Sequence, residues 1–200
     1  MADKYMQTVL TPAVLEAEQH YYGRAYPSFD HAPETDALRE QEIAFIETRD
    51  SFYMATITEN NWPYVQHRGG PRGFVRVLSP QQIAFADYGG NRQMISVGSI
   101  SQQDRVALFM IDYPQRTRLK ILGHAKVFDA RENPDLVEKV LPPGGHGAKG
   151  ERVFSIDILS YDWNCPKFIT PRYTAEEVDK AVAPLRARIA ELEAQLKSAS

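Results

Sequence analysis

Apolar residues recur at helical spacing before residue 50 and at strand spacing after it. The run "TPAVLEAEQHYYG" predicts a helix opened by Thr11 and Pro12 and stopped by Gly23, because proline suits a first helical turn and glycine the position just past the last. In "TDALREQEIAFIETRD", Leu38, Glu42, Phe45 and Ile46 fall near one face, which predicts a second helix starting at Thr35. The β-rich runs "SFYMATITE" and "YVQHRGG…FVRVL" flank the turn "NNWP", and "SPQQ" turns into the strand "IAFADY". "GGNRQMISVGSI" reads as a glycine turn and a short helix. "RVALFMIDY" is nearly continuously apolar, the pattern of a strand buried on both faces. "TRLKILGHAKVFDA" is a long strand in which Gly123 marks a bulge or a barrel bend. A short helix between prolines, "NPDLVEKVLPP", and the loop "GGHGAKG" precede the last strand, "RVFSIDILSYDW".

Six strands joined by turn-length connections, with few crossover helices, predict a mainly β (α+β) chain built on an antiparallel barrel. The expected organisation is an N-terminal extension over 1–34, a barrel domain over 35–172 and a helical tail over 173–200. In the tail, Leu185, Ile189, Leu192 and Leu196 are spaced four, three and four apart. That is a short heptad-like seam, open to two readings: an amphipathic helix packed on its own domain, or helix pairing between subunits.

Composition narrows the function classes. The chain has 200 residues, 43% of them hydrophobic, and a formal net charge of -3, so it carries no footprint for a polyanion and nucleic acid is not an expected partner. Cys165 is the sole cysteine, which excludes an internal disulfide and a multi-cysteine metal site and fits a reducing compartment. "MADKYMQTVLTPAVLEAEQHYY" lacks the basic and apolar regions of a signal peptide. No window approaches the roughly 20 apolar residues of a membrane span. The expected location is cytoplasmic.

The candidate chemistry lies in basic residues on or beside successive strands: Arg68, Arg72 and Arg76, then Arg92, then Arg116, Arg118 and Lys120. Neighbouring strands run roughly 5 Å apart, so cations from three of them can converge on one dianion. The planar donor fork of arginine suits a phosphate monoester. A solvated charged sheet face is the competing account. "GGNR" favours the anion site, since a glycine turn followed by Asn91 and Arg92 before a helix offers backbone N–H groups and charge together.

The stretches "FIETRDSFYMATITENNWPYVQHRGGPRGFVRVL", "FADYGGNRQMISVGSI" and "RTRLKILGHAKV" resemble the pyridoxamine 5'-phosphate oxidase-like, FMN-binding split-barrel family over about residues 38–165. "DWNCPKFITPR" resembles its oxidase-related flavoprotein subgroup. The resemblance implies a six-stranded antiparallel split β-barrel with flanking helices, FMN as cofactor, and a homodimer with FMN at the subunit interface. It places FMN against Arg68, Gly69, Gly70, Arg72 and Phe74 of "HRGGPRGF", against Phe85, Ala86 and Asp87, and against Asn91 and Arg92 for the phosphate. Arg118 falls where the oxidases carry a glutamine near the ring, and Trp163, followed by Asn164, is open to two readings: a core or interface aromatic, or the family's closing aromatic beside the flavin. Two departures matter. Gly90, Asn91 and Arg92 replace a serine-arginine-lysine triplet, and "ITPRYTAEEVDK" replaces the arginine-rich strand that holds pyridoxal phosphate. The resemblance therefore supports FMN binding and does not support oxidation of pyridoxamine phosphate.

The remaining candidates are weaker. Cys165 has no base nearby in sequence, "GGHGAKG" lacks the GK[ST] ending of a phosphate loop, and His67 with His124 is too few ligands for a metal. The expected function is an FMN-dependent oxidoreductase acting on a small molecule, with no catalytic acid or base identified and no metal. The alternatives are a flavin-binding or sensing module with little turnover, or a split barrel using a deazaflavin or haem.

Overall fold

The β-patterned runs join into one antiparallel sheet in the computed structural model, which describes residues 3–90, 92–141 and 150–199. The strands are β1 (Ser51–Ile57), β2 (Pro63–Gly69), β3 (Val75–Ser79), β4 (Gln82–Tyr88), β5 (Arg105–Asp112), β6 (Thr117–Asp129) and β7 (Gly150–Asn164), in the order β2-β1-β5-β6-β7-β4-β3. The helices are α1 (Asp3–Val9), α2 (Pro12–Tyr22), α3 (Glu40–Ile46), α4 (Ile95–Gln102), α5 (Pro134–Val140) and α6 (Ala175–Ala199). The chain divides into two compact units, one of residues 1–111 with 117–165 and one of residues 112–116 with 166–200. The first unit carries the sheet and the second carries α6.

The sheet has seven strands where the sequence pattern predicts six. "YVQHRGGPRGFVRVL" is two strands because residues 70–74 turn sharply between β2 and β3. A Cβ on Gly70 would sit 2.6 Å from Cγ of Phe74, and Gly73 holds φ at +81°, a value that only glycine adopts without strain. The N–H groups of Gly70 and Gly73 donate to the carbonyls of Asp50 and Arg49, each at 2.9 Å, which anchors the turn to the entry of β1. α3 starts at Glu40 and not at Thr35. Backbone N–H groups of Asp36 and Leu38 donate to the carbonyls of Leu159 and Pro80, holding that segment extended. β5 also differs from expectation: Val106, Leu108 and Met110 are buried, while Ala107, Phe109 and Ile111 on the opposite face are only half-buried.

The core is the inner face of the curled sheet, closed by α3 and α4. Phe52, Phe74, Phe85 and Phe154, all nearly inaccessible, form its aromatic centre. Gly123 marks the bulge that its sequence position predicts, since the register of β6 against β7 shifts between Leu122 and Gly123. A Cβ there would lie 2.6 Å from the carbonyl oxygen of Asp157 and 2.8 Å from Cγ2 of Ile156. Backbone cannot rotate out of the way, so Gly123→Ala is expected to lose about 1–3 kcal/mol of stability. Gly98→Ala in α4 meets nothing within 4 Å and should be neutral or slightly stabilising. Urea unfolding of the two variants checks this contrast; equal midpoints would count against a close-packed bulge.

"GGHGAKG", apart from Gly150, lies outside the described residues, as does Asn91. No helix among the described residues is long and apolar enough to cross a membrane, and no group of three or more His, Cys, Asp or Glu side chains among them could hold a metal.

Candidate functional site

β2 is an edge strand, and its alternation puts Tyr64, Gln66 and Arg68 on its half-buried side. All three line a cavity of about 180 Å³. Its other walls are Phe74 and Phe85 of the aromatic centre, Ala86, Asp87 and Tyr88 of β4, residues 92–97 leading into α4, and Arg152 of β7. The cavity therefore opens where the sheet fails to close. β2 ends one side of the strand order, and β4 lies next to the other end. Side chains span the interval: Arg68 Nη1 donates to Asp87 Oδ1 at 2.7 Å.

Asp87 is shared. Arg152 faces it directly across the β4–β7 ladder and donates from Nε to Oδ2 at 2.9 Å. The side chains of Arg68, Asp87 and Arg152 are only 11%, 13% and 18% exposed, so this Arg-Asp-Arg group is largely desolvated. Burial pulls the Arg68 guanidinium below its usual range, and the charge of Asp87 opposes that shift. The guanidinium also lies 4.8 Å from the centre of the Phe154 ring. Arg68 Nε is buried and has no hydrogen-bond partner among the described residues. A buried charged donor left unmatched is costly, and an acceptor in the cavity would satisfy it. Burial pushes the Tyr88 phenol up, so at neutral pH it remains a donor.

The approach to α4 supplies a second cationic element. Arg92 and Met94 both occupy the left-handed region, with φ of 56° and 57°. For residues with a Cβ that conformation costs roughly 1–2 kcal/mol each. Two such residues beside one cavity indicate a segment held in a required shape. Arg92 is exposed and makes no ion pair with a described residue, unlike Arg68 and Arg152. Buried Ser96, in the first turn of α4, donates to Gln66 Oε1 at 3.1 Å and ties this end of the helix to β2.

Of the residues expected around a cofactor, Arg68, Gly69, Phe74, Phe85, Ala86, Asp87 and Arg92 line this cavity. Gly70 has a local reason for its missing side chain in the Phe74 ring, and Arg72 projects from the turn as an exposed residue. Arg118, Trp163 and Asn164 gather at another place. Arg118 and Asn164 are cross-strand neighbours at the end of the β6–β7 ladder. Arg118 Nη2 donates to the Cys165 carbonyl at 2.9 Å. Trp163 donates from Nε1 to Glu42 Oε1 at 2.6 Å and meets Phe45 edge-on. His67 lines the cavity, whereas His124 pairs with Asp104 at 3.0 Å.

Sequence reasoning missed Gln66, Tyr88, Ser96 and Arg152. The period-two rule applied outward from Arg68 would have found Gln66. Arg152 becomes visible only through the register that sets it opposite Asp87, and register is not written in a single sequence.

Residues 38–162 match the pyridoxamine 5'-phosphate oxidase family. The match spans more than half of the chain, and the chain belongs to that family. Its sheet is the antiparallel split barrel, left open between β2 and β3. No curated protein matches the chain. Among solved structures, a provisionally named pyridoxamine 5'-phosphate oxidase from Lactobacillus delbrueckii is 23% identical, covering 64% of this chain and 95% of its own, with a TM-score of 0.49. An F420 reductase is 14% identical over 62% of this chain and 98% of its own, with a TM-score of 0.44. An FMN-binding protein from Syntrophomonas wolfei is 6% identical over 62% and 86%, with a TM-score of 0.42.

Proposed function

We propose that this chain is an FMN-dependent oxidoreductase of the oxidase-related type, acting on a small molecule as a cytoplasmic homodimer that shares its cofactor sites. The observation that carries the reading is the buried Arg68 Nε, which has no acceptor among the described residues, in a cavity also walled by Arg92 and the first turn of α4. That donor set fits a phosphate or the polar edge of an isoalloxazine. Bound flavin would supply the hydride or electron chemistry. The protein's own residues bind and orient: Arg92 and the N–H groups entering α4 suit the phosphate, Arg68 and Gln66 suit a polar edge, and Phe74 and Phe85 exclude water. Asp87 limits the positive charge by pairing with both arginines.

The size of the cavity supports a shared site. Ligand pockets span about 300–1,000 Å³, so 180 Å³ accommodates one end of a mononucleotide and leaves the remainder for a second subunit to cover. The outer face of β2-β1-β5 offers that contact. Val65 and His67 on β2, Tyr53 and Ala55 on β1, and Ala107 and Phe109 on β5 are neighbours by register, and none is buried. Val65 is 60% exposed and Tyr53 40%. In this reading Arg118 and Asn164, outside the cavity of their own subunit, serve the neighbouring one.

Cofactor released by acid and chromatographed is expected to be FMN, because the cations face a single terminal phosphate and no dinucleotide fingerprint follows a strand. Recovery of FAD alone, or of no flavin after reconstitution with FMN, would overturn the proposal. Bleaching of the flavin bands by NAD(P)H then separates an enzyme from a flavin carrier. Arg92→Ala should weaken FMN binding roughly ten- to a hundredfold, the worth of a charge-assisted contact of about 1.5–3 kcal/mol. Lys197→Ala, on an exposed helix, should leave it unchanged; equal affinities for the two variants would remove Arg92 from the site.

A further inference from the structure

α6 is continuous from Ala175 to Ala199, and its apolar positions form a longer seam than its last four leucine and isoleucine residues show. Val178, Val182, Leu185, Ile189, Leu192 and Leu196 follow spacings of four, three, four, three and four, the a and d pattern of a coiled coil. Leu185 is 65% exposed and Ile189 56%, so the rest of its own compact unit leaves the seam uncovered. We infer that α6 pairs with α6 of a second copy of this chain as a parallel, in-register two-stranded coiled coil.

Three features specify that occupant. With Leu192 at a d position, Val182 and Ile189 fall at a and Leu185 at d, while Val178 at d and Leu196 at a end the seam; in its two central heptads β-branched residues at a with leucine at d favour two parallel strands. In the same frame Arg188 occupies g and Glu193 the following e. A parallel pair sets g of one helix beside the next e of the other, so two Arg188–Glu193 contacts form across the axis. The other g-to-e pairing, Ala181 with Arg186, brings no like charges together. Within one helix Arg188 pairs with Glu191 at 2.5 Å, and that contact would be exchanged on pairing. Finally, Pro184 lies at a c position, away from the seam. It removes the N–H that would donate to Lys180, so the half after residue 184 carries most of the pairing.

Crosslinking of the full chain, with Cys165→Ser removing the native thiol, tests orientation and register together. Leu192→Cys, at d, should give predominantly disulfide-linked dimer on diamide oxidation, whereas Ala194→Cys, at the outward f position, should remain several-fold less linked. In the Leu192→Cys chain, Arg188→Glu should lower the yield, and Arg188→Glu with Glu193→Arg should restore it. Equal linkage at 192 and 194, no linkage at 192, or no rescue by the charge swap would each overturn the inference. Light scattering of a chain lacking residues 184–200 keeps the outcome separate from the sheet-face interface. A flavin-loaded dimer after truncation supports that interface, and a monomer would refute it while leaving the crosslinking result intact.

Discussion

Phe85→Ala is expected to cost about 3–5 kcal/mol of folding free energy. Phe85 is 1% exposed. Its ring stacks on Phe154 at 5.1 Å and meets Phe52 and Phe74 edge-on at 5.2 and 6.1 Å. These partners come from β7, β1 and the entry to β3, so the ring joins both ends of the sheet and no single neighbour can move in to fill the gap. A domain of this size is stable by about 5–15 kcal/mol in total, so the variant should unfold near ambient temperature or at low denaturant. Because Phe74 and Phe85 also wall the cavity, loss of bound flavin should accompany loss of stability. Urea titration with a parallel flavin spectrum checks both. A loss below about 1 kcal/mol would mean the aromatic centre can collapse around a missing ring.

Asp87→Ala is expected to cost about 3–5 kcal/mol by a different route, leaving Arg68 and Arg152 charged, poorly solvated and without their shared carboxylate. The cost should fall when Arg68 is removed as well, since Arg152 retains Glu151 at 2.9 Å. The double variant Arg68→Ala/Asp87→Ala should therefore be more stable than the sum of the single losses allows. Sulfate or phosphate should stabilise Asp87→Ala more than the native chain, since an anion in the cavity replaces the missing charge. Strict additivity, or no difference in anion response, would show that the three residues do not act as a group.

The fold was legible wherever side-chain periodicity outlasted the local exceptions. Long runs such as "TRLKILGHAKVFDA" declare both the strand and its Gly123 bulge, because a period of two over 13 residues admits few other readings. The division of "YVQHRGGPRGFVRVL" was less legible. The family resemblance set Gly69 and Gly70 beside a cofactor, and Gly69 does line the cavity, but the turn itself rests on Gly70 against the Phe74 ring and on the left-handed Gly73. Part of the site was legible for a similar reason: Arg68 and Arg92 stood out as cations beside turns. Asp87 entered through the family resemblance, which said nothing of its two arginine partners. That role depends on Arg152 lying opposite it and on β2 curling round to β4, and both are facts of pairing across 19 and 65 residues of chain.

The strand order also constrains the sequence of events by which such a chain is made. β7, the last strand in the chain, sits between β6 and β4, and through β4 it carries β3 into the sheet. Until Gly150–Asn164 has emerged from a ribosome, the β3–β4 hairpin has no strand to join, and Phe85 must wait without Phe154. The contacts that complete the sheet are long-range in sequence, the kind that form late and slowly. Arg152 arrives on that same strand, so the cavity is finished in the step that finishes the fold. A nascent chain released short of residue 164 would carry most of the apolar residues of the core and no place to put them, a species for chaperones to hold.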